Sequence, residues 1–127
     1  MKKMLLIFSH NLTKDQEQDA KINFGIEEFI YLPLDLQNLW SEIPPELDDL
    51  NDYLNPIKAY IKDNSKDSEI ALIQGDFGAT YLLVNLCKDL NIIPVYATTK
   101  RITQEKEENG KIIKTSIFKH IKFRKYQ

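Results

Sequence analysis

A single cysteine stands in the 127 residues, so the chain cannot close a disulfide on itself. Two histidines, His10 and His120, are its only imidazoles, and with Cys87 and the carboxylates they show no metal-ligand spacing. No metal and no other cofactor is expected. The longest apolar run, residues 4–8 (MLLIF), falls far short of the ~20 residues that cross a bilayer. It is also shorter than a secretory apolar region, and no small-residue cleavage site follows it, so no signal peptide is expected. The expected address is the cytoplasm, without a membrane partner. Glycine and proline number four and five, too few for a low-complexity or collagen-like chain. With 43% hydrophobic and 28% charged residues, the sequence fits one globular domain over 1–127.

Acidic residues are missing from 111–127, which carries Lys111, Lys114, Lys119, Lys122, Arg124 and Lys125. Of the 17 basic residues 11 remain elsewhere, against all 19 acidic ones, so the rest of the chain stands at −8. Duplex DNA asks for a broad basic face and is not an expected partner. One basic spot on an acidic body suits a small anionic ligand.

What is present is a regular alternation of patterns. Residues 3–9 (KMLLIFS) form a continuous apolar run, the mark of a strand buried on both faces. Thr13 caps a charged helix that ends at Gly25. Residues 26–32 (IEEFIYL) read as a second strand and 33–41 as a short helix. Pro44-Pro45 opens a longer helical pattern, with Leu47, Leu50, Leu54, Ile57 and Ile61 in one stripe and a kink or helix junction at Pro56. Residues 69–74 (EIALIQ) are a third strand, 79–91 a largely buried helix counting Tyr81 among its apolar residues, and 92–97 (IIPVYA) a fourth strand. Asn109-Gly110 is a strong hairpin signal between strands at about 101–107 and 111–123. In that last strand Ile117, Lys119, Ile121 and Phe123 share one side, and Phe118, His120, Lys122 and Arg124 the other. The fold class is α/β: a parallel, Rossmann-like sheet flanked by helices, with a C-terminal antiparallel β-hairpin that extends the sheet or projects from it.

Open parallel sheets bind ligands beyond the carboxyl ends of their strands. Three polar segments fall there: Ser9-His10-Asn11, Gln74-Gly75-Asp76-Phe77-Gly78-Ala79-Thr80, and Thr98-Thr99-Lys100-Arg101. The glycine loop either lets backbone N–H groups approach a phosphate at a helix start, or simply makes a tight turn with Asp76 as the cap. It lacks the Gly-Lys-Ser/Thr of a P-loop and the G-x-G-x-x-G of dinucleotide folds. His10 can move a proton near neutral pH, or is an ordinary loop histidine. Lys100-Arg101 is a cationic pair for phosphate, or a solvated one. Ser9 lacks the elbow of a nucleophile and is a turn residue. His120 and Cys87 are read as structural, and Trp40 and Tyr96 as core aromatics. Phe77 alone sits where a base could stack.

Taken together, MLLIFSHNLT, FIYLPLDLQNLWSEIPPEL, ALIQGDFGATYLLVN, IPVYATTKR and FKHIKFRKY resemble a CRISPR-associated accessory family, Csx-twenty, over nearly the whole chain. QGDFGAT followed by YATTKR carries most of the resemblance. It implies a type III CRISPR ring nuclease with a Rossmann-like fold that cleaves a cyclic oligoadenylate, with cyclic tetra-adenylate favoured. Such a ring suits a C₂ homodimer with both glycine loops facing the axis. Trp40, the segment 47–61 or the hairpin are the interface candidates. Cleavage needs the ribose 2′-hydroxyl set in line with the leaving 5′-oxygen and charge stabilised on phosphorus, without a metal. By placement, His10 moves the proton and Lys100 or Arg101 stabilises charge. The N–H groups from Gly75 to Ala79 cradle phosphate, while Gln74, Asp76 and Thr80, with Ser9, Asn11, Thr98 and Thr99, hold ribose or adenine. A sponge or sensor that binds the ring without cutting it is the alternative. A third reading makes the basic hairpin an RNA-binding or RNase element.

Overall fold

A computed structural model describes residues 2–127. It is a mixed α/β fold, with the elements in the order β1 (Lys3–Ile7), α1 (Lys14–Phe24), β2 (Glu28–Tyr31), α2 (Leu34–Ser41), α3 (Asn55–Asp63), β3 (Ser68–Ile73), α4 (Phe77–Asp89), β4 (Ile93–Glu108) and β5 (Lys111–Lys125). The sheet order is β2-β1-β3-β4-β5. Neighbours are parallel except for the antiparallel β4–β5 pair.

The apolar run of β1 lies at the centre of this sheet, and Met4, Leu5, Leu6 and Ile7 are all fully buried. Strand alternation divides them between two cores. Leu5 and Ile7 join Ala71 and Ile73 under α2, α3 and α4. Met4 and Leu6 join Ile70 and Leu72 under α1, with Val95 and Phe123. Truncating one such Leu or Ile to Ala costs about 2–5 kcal/mol.

Helix α1 starts as its sequence dictates. The Gln16 N–H donates to Thr13 Oγ1 (3.2 Å) and the Thr13 N–H to Gln16 Oε1 (2.9 Å), a closed capping box. Gly25 ends it at φ 66°, a left-handed turn that glycine adopts without strain.

Three expectations need correcting. No helix runs through residues 44–54, which form turns, and Leu47 is 43% exposed. Helix α3 begins only at Asn55, so Pro56 sits in its first turn, where no N–H bond is lost, and makes no kink. In α4 the buried residues are Ala79, Leu83, Val84 and Cys87, whereas Tyr81 is 68% exposed. The third correction concerns the hairpin: β4 is one continuous strand from the parallel sheet into the hairpin, not a strand that ends at residue 97 and a separate hairpin strand from about 101. Its turn is as expected, with Asn109 and Gly110 both at positive φ. A bulge opposite Thr98 and Thr99 leaves Ile121 unpaired and resets the alternation of β5. His120 and Phe123 therefore meet on one face, rings 4.8 Å apart, beside α1.

Candidate functional site

Where β1 and β3 end, Gln74 ties four elements together. Its N–H donates to the Ile7 carbonyl (3.1 Å), its Oε1 accepts from the Ala97 N–H (2.7 Å), and its carbonyl accepts from Trp40 Nε1 (3.0 Å). Gln74 thus spends its side-chain oxygen inside the fold. Gly75 follows, packed so closely on the buried Trp40 that a Cβ would fall 2.7 Å from the indole. Trp40 is therefore unavailable as an interface. Gly78 is under no such pressure, since a Cβ there meets only ordinary contacts at 3.6 Å. Asp76 caps α4, its Oδ2 accepting from the Ala79 N–H (3.0 Å). The first N–H groups of that helix, at Phe77 and Gly78, have no acceptor within the helix.

A cavity of about 540 Å³ opens beside this loop. That is the size range of small-molecule sites. One wall is a face of α4: Phe77, Tyr81, Asn85 and Lys88. Phe77 is 94% exposed, and Tyr81 follows one turn later. The opposite wall is Tyr96 of β4 with Tyr126, their rings 4.8 Å apart. Tyr126 is fixed by donating its hydroxyl to the Ile73 carbonyl (2.6 Å). Burial, and secondarily the charge of Tyr96, pushes its phenol above the usual tyrosine range. Arg124 donates to the Tyr96 hydroxyl (2.9 Å) and stacks over its ring. Thr80 lines the cavity, and its buried Oγ1 has no hydrogen-bond partner among the described residues.

The other two segments lie differently. Ser9 accepts a hydrogen bond from Ser41 Oγ (2.9 Å). His10 and Asn11 are exposed, with the His10 ring edge-on to Phe8 at 5.3 Å. These residues stand at the β1 end of the same edge but do not line the cavity. Thr98, Thr99, Lys100 and Arg101 lie within β4. Thr98 Oγ1 donates to the Lys122 carbonyl (2.9 Å) and accepts from its N–H (3.2 Å), which braces the bulge. As successive strand residues, Lys100 and Arg101 point to opposite faces. Arg101 donates to Ser116 Oγ (3.1 Å), while Lys100 shares the face of Tyr96. The two cations therefore do not form a clamp.

Two features of this structure go beyond what the sequence patterns single out. Tyr81, Asn85 and Lys88 join Phe77 as a polar-aromatic face, and the signal was present: helical spacing on a segment taken to be buried. His120 is the second. Its Nε2 lies 2.7 Å from Asp19 Oδ2, with both side chains nearly buried, and pins β5 to α1. No local pattern links residues so distant in sequence. Among the described residues no three His, Cys, Asp or Glu side chains gather as a metal-binding group.

A protein-family profile, "Uncharacterized protein MJ1673 family", matches residues 2–124. A relative from Methanocaldococcus jannaschii, "Uncharacterized protein MJ1673", is 55% identical over 126 residues, covering 99% of this chain and 98% of its own. No solved structure matches.

Proposed function

We propose a function for this chain, which belongs to the MJ1673 family: it binds a cyclic oligoadenylate, cyclic tetra-adenylate favoured, and cleaves it as a ring nuclease of type III CRISPR signalling in the cytoplasm. The observation that carries this reading is the cavity beside the Gly75 loop with Phe77 and Tyr81 exposed at its mouth. Exposed aromatic rings cost solubility unless they stack on something flat, and a base offers a flat apolar face. The resemblance of QGDFGAT and YATTKR to the Csx-twenty family supports the same ligand. The strand order reverses between β1 and β3, a switch point at which open α/β sheets bind ligands; the Gly75 loop borders it, although the cavity opens on the β4 side of that loop.

In this reading adenine stacks on Phe77 or Tyr81, and the orphan hydroxyl of Thr80 and the amide of Asn85 answer its polar edge. Phosphate meets the open N–H groups of Phe77 and Gly78. Asp76 opposes negative charge at that helix start, so cations must balance it; Lys100 and Lys88 serve. Two protomers in a homodimer each hold half of the ring. Cleavage follows when a ribose 2′-oxygen bonds to the adjacent phosphorus and the bond to the 5′-oxygen breaks. The 2′-proton passes to His10, and a proton is returned to the 5′-oxygen. The product end is a 2′,3′-cyclic phosphate.

Titration calorimetry with cyclic tri-, tetra- and hexa-adenylate and with linear tetra-adenylate tests the ligand. Saturable binding of the tetrameric ring, tighter than the linear form, is expected. No binding, or equal binding of ring and linear forms, overturns the reading. One observation favours the binding-only alternative. Arg101, Asp76, Ser9 and the oxygen of Gln74 are already engaged within the chain, which leaves, among the described residues, His10 and Lys100 of the expected catalytic set without such a bond.

A further inference from the structure

We infer that the two-stranded arm made by residues 99–108 of β4 and 111–120 of β5 is a docking arm for a second copy of this chain, received by the acidic segment 42–52 at that copy's carboxyl sheet edge. The inference deepens the homodimer of the preceding reading and rests on it for the partner, not for the ligand.

Pairing of β4 with β3 ends at Val95, whereas pairing with β5 continues to Glu108. At ~3.3 Å per residue the arm runs about 30 Å past its root at Thr99. A two-stranded ribbon is marginal in water unless a face is covered. This one exposes large apolar side chains on both faces: Ile112 and Phe118 on one, at 68% and 70%, and Ile113 and Ile117 on the other, at 42% and 50%. Helix α1 packs on β5 only near the arm's root, at His120, and leaves these four side chains exposed.

Charge selects the partner. The arm's outer strand brings Lys111, Lys114 and Lys119 and no acid. Edge-to-edge pairing of two β5 strands would set lysines against lysines, so contact by the faces is favoured. Segment 42–52 holds Glu42, Glu46, Asp48, Asp49 and Asp52, no base, and the exposed Leu47. It lies at the edge from which the arm leaves. Ser41, just before it, bonds Ser9, and Leu50 approaches Gly78. Reciprocal exchange of arms about a two-fold axis closes the assembly. Nucleic acid fits less well. Phe118 is the only Phe, Tyr or Trp of the arm, too few for a stacking platform.

Sedimentation equilibrium of the full chain without ligand is the test. Twice the 14.9 kDa chain mass is expected. The double variant Ile117→Asp, Phe118→Asp is expected to sediment as a monomer with unchanged far-ultraviolet helix signal. Asp48→Lys with Asp49→Lys is expected to weaken the dimer at least tenfold, and adding Lys114→Glu and Lys119→Glu to restore it; this charge swap decides the matter should the aspartate variant fail to fold. A monomeric wild type overturns the inference, even if it binds the adenylate ring. So does a dimer indifferent to the arm and charge variants, or a monomer whose arm instead takes single-stranded RNA. A dimer that obeys the charge swap but binds no ring upholds the arm and removes only the ligand reading.

Discussion

The indole of Trp40 occupies the space that a side chain at Gly75 would need, 2.7 Å from a Cβ built there. The same indole donates from Nε1 to the carbonyl of Gln74, the residue before that glycine. The loop beside the cavity is thus held from below by a core residue. Gly75→Ala forces Trp40 or the loop to move, and an overpacked site of this kind costs roughly 1–3 kcal/mol. Urea unfolding followed by Trp40 fluorescence should report that loss. Gly78→Ala, with room for its Cβ, should leave stability near wild type.

Phe77 and Tyr81 are expected to matter to the ligand and not to the fold. Each stands largely in solvent, so Phe77→Ala or Tyr81→Ala should shift stability by less than about 0.5 kcal/mol. Stacking is worth about 1–3 kcal/mol per base, so each should weaken adenylate binding roughly five- to 150-fold. Calorimetry on both variants checks this.

Tyr126 ties the C-terminal tail to the end of β3, and its phenol is held above the ordinary value of 10.0 by burial and then by Tyr96. The unfolded chain therefore gives up this proton first. The stability it contributes is complete below pH 10.0 and is lost as pH rises past it. Tyr53 and Tyr60 are raised in the same direction, in both cases chiefly by burial. Tyr126→Phe should flatten the alkaline loss in part. Unfolding at neutral pH and above pH 10.0, for both proteins, measures the difference.

Cys87 is buried in α4, and that burial pushes its thiol up to about 12. Little thiolate exists at neutral pH, and the thiolate is the reactive form. Ellman's reagent should leave the folded chain untouched and titrate one thiol in denaturant. Rapid reaction of the folded protein would contradict the packing of α4 against the sheet.

Much of the fold was legible because its signals are local. The run MLLIF suits a strand buried on both faces, and Thr13, Gly25 and Asn109-Gly110 mark their boundaries chemically. The region before α3 misled for a physical reason. Leu47, Leu50 and Leu54 repeat the spacing of a helix, but no cap or propensity supports one after Pro44-Pro45, and tertiary packing took only Leu54 fully inside. The break foreseen between the fourth strand and the hairpin rested on polar residues at 98–101, which a two-stranded ribbon accommodates without leaving the β conformation.

The candidate site was legible as an address more than as a composition. Sheet-edge reasoning led to Gln74 and its loop. It offered Asp76 as a helix cap, which it is, but could not say that Gln74 spends its side-chain oxygen on Ala97, or that Gly75 answers to Trp40. Those partners come from other elements and carry no mark in the local sequence. Tyr81 was hidden by its own ambiguity, since a tyrosine at helical spacing serves a core or a surface equally well.

The most direct test of the account is product analysis after incubating the chain with cyclic tetra-adenylate in EDTA, beside His10→Ala. The account predicts linear products ending in a 2′,3′-cyclic phosphate, and a loss of rate on the order of 10²–10⁴ in His10→Ala with binding retained. Intact ring after prolonged incubation with excess wild-type protein, or a His10→Ala variant that cuts as fast as wild type, would contradict it.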